Sequence, residues 1–258
     1  MNSNGLSGTV LITGATGAIG GALAEVYAAP GGTLILLGRN RKRLAEAAER
    51  CELKGARVLM YCIDLRDRDA LCAALKEICA AECPDLVIAN AGVSTGIGPD
   101  GAPERWEKVE ELLEVNVLGT VATVNSVLPF MIDRGCGQIA LISSLAGYYG
   151  LPITPSYSAS KAAIKAYGEG LRGWLAPKGI RVNVVMPGNV DSEMCRNDPG
   201  PKPFLWPAER AAEAIRKGLA ADRPRISFPF PLDWGCWFLS ILPPALSERI
   251  LRLLHYAS

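Results

Sequence analysis

Short apolar runs alternate with longer segments of helical periodicity along the first three quarters of the chain. Nearly continuous hydrophobicity over the length of a strand is typical of strands buried on both faces of a sheet. The predicted strands are residues 9–13, 33–37, 57–62, 85–89, 138–142, 180–185 and 225–228. The predicted helices are residues 18–29, 40–54, 67–82, 104–134 and 155–176. This repetition predicts an α/β fold, a doubly wound parallel sheet of about seven strands with helices on both faces.

Nothing in the sequence marks a second domain. No internal repeat, low-complexity tract or linker interrupts the chain, so we predict one domain over residues 1–258. A proline-rich stretch, 199–203, follows the sixth strand, and we expect residues 188–206 to form a loop that covers the substrate at the strand ends. Residues 228–256 form an apolar C-terminal extension.

The charge balance is almost neutral and gives no sign of a polyanionic partner. The chain has 27 Lys and Arg against 26 Asp and Glu, a formal net charge of +1, and no basic block, so we do not expect nucleic acid to bind. Residues 1–5 lack the character of a signal peptide, and the apolar stretch 234–246 is shorter than the roughly 20 residues of a membrane span. We therefore expect a soluble, cytoplasmic protein.

The cysteines and the histidine argue against two classes of chemistry. The eight cysteines include no Cys-x-x-Cys pair, and Cys79 and Cys83 have no second pair and no nearby histidine, so we predict no metal site. We expect the thiols to be free and buried, in a reducing compartment. The single histidine, His255, lies three residues from the C-terminus, where it is poorly placed to serve a Ser-His-Asp hydrolase.

A glycine-rich turn follows the first predicted strand and opens the first predicted helix. Glycines let the chain turn tightly and let backbone N–H groups approach a pyrophosphate, which then faces the positive end of the helix dipole. We predict a dinucleotide site here, formed by Gly14, Thr16, Gly17, Ala18, Ile19 and Gly20.

The end of the second predicted strand is basic, which bears on the choice of cofactor. An acidic residue at this place binds a ribose 2′-hydroxyl, whereas an arginine accommodates a 2′-phosphate. The chain reads Gly38-Arg39-Asn40-Arg41-Lys42-Arg43 and has no carboxylate there. We predict NADPH or NADP+ rather than NADH, with Arg39 as the main ligand of the 2′-phosphate and Arg43 as a weaker one.

A tyrosine and a lysine share one face of the fifth predicted helix. Tyr157 and Lys161 are four residues apart, so they lie one turn from each other. A phenol with a pKa near 10 is a poor acid or base at neutral pH unless a cation stands beside it, and Lys161 supplies one. Ser143 and Ser144, at the end of the fifth strand, should lie on the same rim of the sheet.

These motifs together resemble the short-chain dehydrogenase/reductase family over about residues 8–195, which implies a Rossmann-like fold. The serine that lies 13 positions before the tyrosine is catalytic in that family and corresponds to Ser144. Asn116 is similar to the family's structural and catalytic asparagine. Further family positions that contact the cofactor correspond to Asp64, Leu65, Asn90, Ala91, Gly92, Pro187, Gly188, Val190 and Ser192, beside Tyr157 and Lys161.

The resemblance implies a hydride-transfer reaction. NADPH reduces a carbonyl carbon while Tyr157 donates a proton to its oxygen and Ser144 hydrogen-bonds that oxygen. Lys161 lowers the pKa of the tyrosine and binds the nicotinamide ribose, and Asn116 helps to hold a water that reaches Lys161. In reverse, the same groups oxidise the corresponding alcohol.

One departure from the family pattern leaves an alternative open. Ala18 stands where short members usually have a glycine, and the spacing Gly14, Gly17, Gly20 is that of extended members, which act mostly on nucleotide sugars. A sugar-modifying reductase or epimerase of polysaccharide biosynthesis is therefore an alternative. A non-catalytic NADP(H)-binding regulator is another, although it would have no chemical need for the four catalytic residues.

Selectivity for the substrate should reside in residues 93–103, 145–156 and 189–206, with Tyr148 and Tyr149 at the rim. Few of these residues are charged, which favours an apolar or neutral small molecule. The aromatic segment within 228–256 has two interpretations: a subunit interface or cover over the substrate pocket, or contact with the inner face of the membrane through its Trp and Phe side chains. We expect a homodimer or homotetramer.

Overall fold

Seven parallel strands form one sheet in the order β3-β2-β1-β4-β5-β6-β7. The computed structural model describes residues 8–98, 101–198, 200–254 and 256. The strands are β1 Thr9–Thr13, β2 Thr33–Gly38, β3 Arg57–Cys62, β4 Leu86–Ala89, β5 Gly137–Ile142, β6 Ile180–Pro187 and β7 Arg225–Phe228. The predicted doubly wound fold is confirmed. The expectations for residues 1–5 and for Pro99, Asp100, Pro199 and His255 lie outside the described residues.

Helices cover both faces of the sheet because successive residues of each buried strand point to opposite sides. The helices are α1 Ala18–Tyr27, α2 Arg41–Glu52, α3 Arg68–Glu82, α4 Trp106–Leu113, α5 Thr120–Arg134, α6 Pro155–Leu175, α7 Glu193–Asn197, α8 Ala208–Ala220, α9 Leu232–Ile241 and α10 Pro244–Leu253. In β1, Val10 and Ile12 join a core with α1, α2 and α8, whereas Leu11 joins a second core with α3, α5 and α6.

The structure differs from the sequence-based expectation at several helices. The single helix predicted over 104–134 is one continuous helical stretch in which a π-helical turn, Glu114–Gly119, lies between α4 and α5. The predicted loop 188–206 contains the short helix α7, and the apolar extension contains the helices α9 and α10. Helix α8 was not predicted, although its buried Ala211, Ile215 and Leu219 have helical spacing.

The cysteines are all free, but only some are buried. Cys51 and Cys79 are buried, whereas Cys62 and Cys136 are exposed, which corrects the expectation of buried thiols. In the part of the chain that the structure describes, no group of three His, Cys, Asp or Glu side chains could hold a metal ion.

One helical stretch, Trp106–Arg134, is long and apolar enough to cross a membrane by length and composition alone. Its most apolar window is 56% buried inside the fold. This burial is typical of a core helix in a soluble protein, so the stretch is weak evidence for a span.

A deep crevice opens along the carboxyl edge of the sheet. The chain runs outward from β1 to β2 and β3 and then returns to place β4 on the other side of β1. In parallel α/β sheets, a ligand crevice forms at such a reversal. Here it encloses about 1250 Å³.

Helix α6 packs closely on β5 and β6 at Gly168, which gives a test of this packing. A Cβ atom there would lie 2.5 Å from Val184 Cγ2 and 2.8 Å from Leu141 Cδ1. We expect Gly168→Ala to lower the free energy of unfolding by about 1–3 kcal/mol through overpacking. Gly173→Ala, on the same helix but with nothing within 4 Å, should be neutral or stabilise by up to about 1 kcal/mol. Urea denaturation compares the two, and equal midpoints would contradict this packing.

Candidate active site

The glycine turn after β1 is shaped by contacts that exclude larger residues. Gly14 has a φ of +67°, and a Cβ atom on Gly20 would lie 2.2 Å from the carbonyl oxygen of Gly14. The Asn90 Nδ2 atom donates to the carbonyl oxygens of Thr13, at 3.0 Å, and Gly14, at 3.2 Å. The asparagine after β4 therefore holds the turn after β1 across the reversal in the sheet.

Helix α1 begins directly at this turn and presents its N-terminus to the crevice. No side chain caps it at Gly17, and both Ala18 and Ile19 line the crevice. The first N–H groups of a helix have no partner within the helix and carry the positive end of its dipole. The turn and helix end therefore fit a diphosphate, and the methyl group of Ala18 is accommodated at the wall.

The arginines after β2 are exposed and paired with acids from distant elements. The Arg39 guanidinium lies 3.2 Å from Glu111 Oε1 on α4, and Lys108 Nζ lies 2.9 Å from Glu111 Oε2. The two cations hold the pKa of Glu111 below its usual value. Arg43 lies 3.4 Å from Glu193 on α7. Both carboxylates are far from these arginines in the sequence, and neither pairing was predicted.

The segment after β3 lines the crevice next to these arginines. Asp64 accepts from Arg66 at 2.7 Å, and this contact lowers the pKa of Asp64. Leu65 is buried and joins the core with α3 and α5. Both residues line the crevice, and their contact with the cofactor stays a prediction, although Asp64 is already ion-paired.

Tyr157 and Lys161 share the N-terminal half of α6, one turn apart. The Lys161 Nζ atom lies 5.6 Å from the centroid of the Tyr157 ring and donates to the carbonyl oxygen of Ile142 at 3.0 Å. The Ser143 hydroxyl donates to the carbonyl oxygen of Lys161 at 2.7 Å. The adjacent Ser144 stands at the end of β5, where its Oγ accepts from the backbone of Ala146.

Burial controls the ionisation of both side chains. It raises the pKa of Tyr157 to about 12, against a side-chain hydrogen bond from Ser144 that lowers it, and the charges of Asp198 and Cys195 raise it further. Burial also lowers the pKa of Lys161 to about 8. The pKa of the tyrosine was expected to be lowered by Lys161 and is instead raised overall, because desolvation of the phenolate is the largest effect.

Asn116 lies in the π-helical turn, behind the wall of the crevice. Its Oδ1 accepts from Val93 N at 2.8 Å, and its Nδ2 donates to Val93 O at 2.9 Å and Ser160 Oγ at 3.1 Å. The Ser160 hydroxyl donates to the carbonyl oxygen of Tyr157 at 2.8 Å. A Cβ atom on Gly92 would lie 3.3 Å from both Asn116 Oδ1 and Lys161 Nζ. The asparagine thus supports the segment after β4 and the start of α6; the sequence analysis missed Ser160.

The remaining predicted positions and part of the extension line the same crevice. Ser192 caps α7 by accepting from the backbone of Cys195 at 3.0 Å. Tyr149 faces the crevice, whereas Tyr148 packs near Lys165 and Arg225, which corrects its expected place at the rim. The crevice wall includes Gly14, Thr16, Gly17, Ala18, Ile19, Gly20, Arg39, Arg43, Asp64, Leu65, Asn90, Ala91, Gly92, Ser144, Tyr157, Lys161, Pro187, Gly188, Val190 and Ser192, but not Asn116.

The C-terminal helices also contribute to the wall of the crevice. Side chains of α9 and α10, including Cys236, Leu239 and Leu251, line the crevice together with Ile97 and Ile153. The first interpretation of the extension, a subunit interface or a cover over the substrate pocket, stays a prediction.

Comparison with known proteins gives consistent results over most of the chain. The family profile described as short chain dehydrogenase matches residues 8–201. An uncharacterized oxidoreductase of Myxococcus xanthus is 34% identical over 248 residues, 96% of this chain and 97% of that protein.

Solved structures share the architecture and differ in the cofactor that they hold. A short-chain dehydrogenase from Sphingobium yanoikuyae in complex with NADPH has a TM-score of 0.79 and 26% identity, over 97% of this chain and 96% of that one. A short chain dehydrogenase from Mycobacterium paratuberculosis bound to NAD has a TM-score of 0.75 and 26% identity, over 90% of this chain and 99% of that one.

The amide network of Asn116 can be tested without any ligand. Asn116→Ala leaves the partly buried N–H and carbonyl of Val93 without their side-chain partner, so we expect it to lower the free energy of unfolding by about 1–3 kcal/mol. Asn125→Ala removes only a 3.4 Å contact with Tyr167 on the exposed side of α5 and should change it by less than about 0.5 kcal/mol. Urea denaturation measures both, and an equal effect of the two substitutions would argue against a supporting role for Asn116.

Proposed function

The chain belongs to the short-chain dehydrogenase/reductase family and is an NAD(P)-dependent enzyme of that family, and from this premise we propose that it reduces a carbonyl group with NADPH, or oxidises the corresponding alcohol with NADP+. One observation carries the proposal. The Tyr157, Ser144 and Lys161 side chains meet in the crevice that the glycine turn also lines. A proton donor, a hydrogen-bond donor and a cation are thus near one place.

The chain supplies the groups that the reaction needs at the carbonyl oxygen. NADPH, when bound, supplies the hydride that reaches the carbonyl carbon. Tyr157 transfers its phenolic proton to the carbonyl oxygen, which becomes the alcohol, and Ser144 donates a hydrogen bond to the same oxygen. The Lys161 ammonium would offset the negative charge that remains on the phenolate, and it would hold the nicotinamide ribose when the cofactor is bound. The phenolate then takes up a proton from solvent.

The ionisation states favour reduction at neutral pH. A pKa of about 12 keeps Tyr157 protonated and therefore able to donate. A pKa of about 8 leaves Lys161 mostly protonated at pH 7. Oxidation of an alcohol needs the Tyr157 phenolate as base. The rate of oxidation should therefore rise with pH, whereas the rate of reduction should not.

The residues around the glycine turn suit a dinucleotide, and the positive charges of the arginines after β2 favour NADPH. The diphosphate fits the helix end at Ala18 and Ile19. The 2′-phosphate would take Arg39 from Glu111 and Arg43 from Glu193, since a dianionic phosphate attracts a guanidinium more strongly than one carboxylate. Relatives of this fold hold NADPH or NAD, so the preference rests on these arginines.

The substrate end of the crevice favours an apolar or neutral carbonyl compound. Aliphatic side chains from Ile97, Ile153, Leu239 and Leu251 contribute to its lining, beside polar residues that include Thr154, Asp198 and Lys202. The aliphatic side chains offer no partner to the hydroxyl groups of a nucleotide sugar, which favours a carbonyl reductase over the alternative of a sugar-modifying reductase or epimerase. The alternative of a non-catalytic regulator finds no support in an intact set of catalytic side chains. A homodimer or homotetramer stays a prediction.

The role of Tyr157 is tested by removing its hydroxyl alone. We expect Tyr157→Phe to lower the rate of carbonyl reduction by about 10²–10⁴-fold while NADPH still binds, because only the proton donor is lost. Consumption of NADPH is measured by absorbance over a panel of carbonyl compounds. Tyr148→Phe is the matched control, since Tyr148 packs away from the crevice, and it should keep full activity. Wild-type rates in Tyr157→Phe would refute the assignment.

The preference for NADPH is tested at Arg39. We expect Arg39→Ser to raise the Kd for NADPH about tenfold or more and to leave that for NADH nearly unchanged, because a charge-assisted bond worth about 1.5–3 kcal/mol is lost with only one of the two. Arg41→Ser removes an equal charge from the exposed start of α2, outside the crevice, and should change neither Kd appreciably. Titration calorimetry provides the values. Equal affinity of the unmodified protein for NADH and NADPH would sink the preference.

A further inference from the structure

Helix α9 carries its most hydrophobic side chains on the solvent side. Trp234, Trp237, Phe238 and Ile241 follow the spacing i, i+3, i+4 and i+7, so they form one face of the helix. Their exposed fractions are 65%, 41%, 51% and 57%. The two tryptophan rings contact each other edge to face, with centroids 6.2 Å apart. A surface helix normally packs such an apolar face against the core, but the inner side of α9 is formed by its other apolar residues.

The opposite face of α9 belongs to the crevice. Leu232, Cys236 and Leu239 line it, and the Ser247 hydroxyl on α10 donates to the carbonyl oxygen of Leu239 at 2.9 Å, which fixes the second helix against the first. The exposed face of α9 is therefore the outer side of a wall whose inner side lines the crevice.

We propose that the exposed face of α9 (Trp234, Trp237, Phe238 and Ile241) docks on the surface of a lipid bilayer. Its size favours a bilayer over a second copy of the chain. A ten-residue helix is about 15 Å long and about 10 Å wide. Its face is therefore much smaller than the roughly 800 Å² that each partner buries in a stable protein interface.

The chemistry of the face also suits a bilayer. Tryptophan and phenylalanine lie favourably at the boundary between headgroups and acyl chains. The only charged residue of α9, Asp233, is half-buried and accepts from Ser227 at 3.3 Å, so no charge lies on the exposed face. Helix α10 exposes Arg249 and Arg252 against Glu248, which leaves one net positive charge for anionic headgroups.

Docking would place the crevice next to the acyl chains. Phe238 lies on the exposed face and also lines the crevice, so the two surfaces are continuous. An apolar carbonyl compound dissolved in the bilayer could then enter without crossing water. This consequence rests on the proposed function, whereas docking itself does not.

Co-sedimentation with vesicles of phosphatidylcholine and phosphatidylglycerol tests the docking. We expect the full chain to bind, and the double substitution Trp234→Ser and Trp237→Ser to lower the partition coefficient about tenfold or more. The matched control is Trp106→Ser with Trp174→Ser, which removes two exposed tryptophans from α4 and α6 and should bind as the full chain does. Brominated lipids should quench the tryptophan emission of the full chain and of this control.

The possible outcomes separate docking from its rivals. Absence of vesicle binding by the full chain at low salt overturns the proposal, and so does equal binding of both double variants. A second copy is the occupant instead if loss of Trp234 and Trp237 lowers the oligomeric state in sedimentation velocity while vesicle binding is unchanged. NADPH consumption with a water-soluble carbonyl compound reports separately on the proposed function, since neither tryptophan lines the crevice.

Discussion

The close contact between α6 and the end of β5 fixes the geometry on which the active site depends. The 3₁₀ turn Leu145–Gly147 approaches α6 so closely that a Cβ atom on Gly147 would lie 2.9 Å from the carbonyl carbon and oxygen of Lys161. The Ser143 hydroxyl and the Lys161 ammonium then join the same two segments by hydrogen bonds in opposite directions. Backbone contact of this kind sets the positions of Ser144 and Tyr157 with little freedom.

A second set of hydrogen bonds, across the reversal in strand order, connects this site to the glycine turn. Asn90 bonds to the turn after β1, and Asn116 holds the chain three residues beyond it at Val93. Gly92, between them, lies against both Asn116 and Lys161. The segment after β4 thus connects the two ends of the crevice, with Asn90, Ala91 and Gly92 in the wall and Asn116 behind it.

The local hydrophobic pattern was enough to predict most of the sheet, but not the contacts between segments that are distant in the sequence. Buried parallel strands are nearly all apolar, so the sequence pattern located the strands within about two residues. The motifs after β1, β4 and β5 lie together because parallel strands end at one edge of the sheet. Glu111 beside Arg39, Ser160 beneath Asn116 and the lining contributed by α9 have no local signature. The direction of the Tyr157 pKa also escaped prediction, because the sequence shows its neighbour Lys161 but not the depth of burial.

The burial of Lys161 bears on how the proposed reaction would stabilise a developing anion. At neutral pH the Lys161 ammonium is mostly charged, its pKa is lowered by burial alone, and no carboxylate of the described residues forms an ion pair with it. A buried cation without a counter-ion is costly, and its cost falls when negative charge develops nearby. In the proposed reaction, hydride transfer to a carbonyl would create such charge at the substrate oxygen, and proton transfer would move it to Tyr157, whose ring centroid lies 5.6 Å from the ammonium. The folded protein carries the electrostatic penalty before this reaction, and the penalty would be relieved while the negative charge is present.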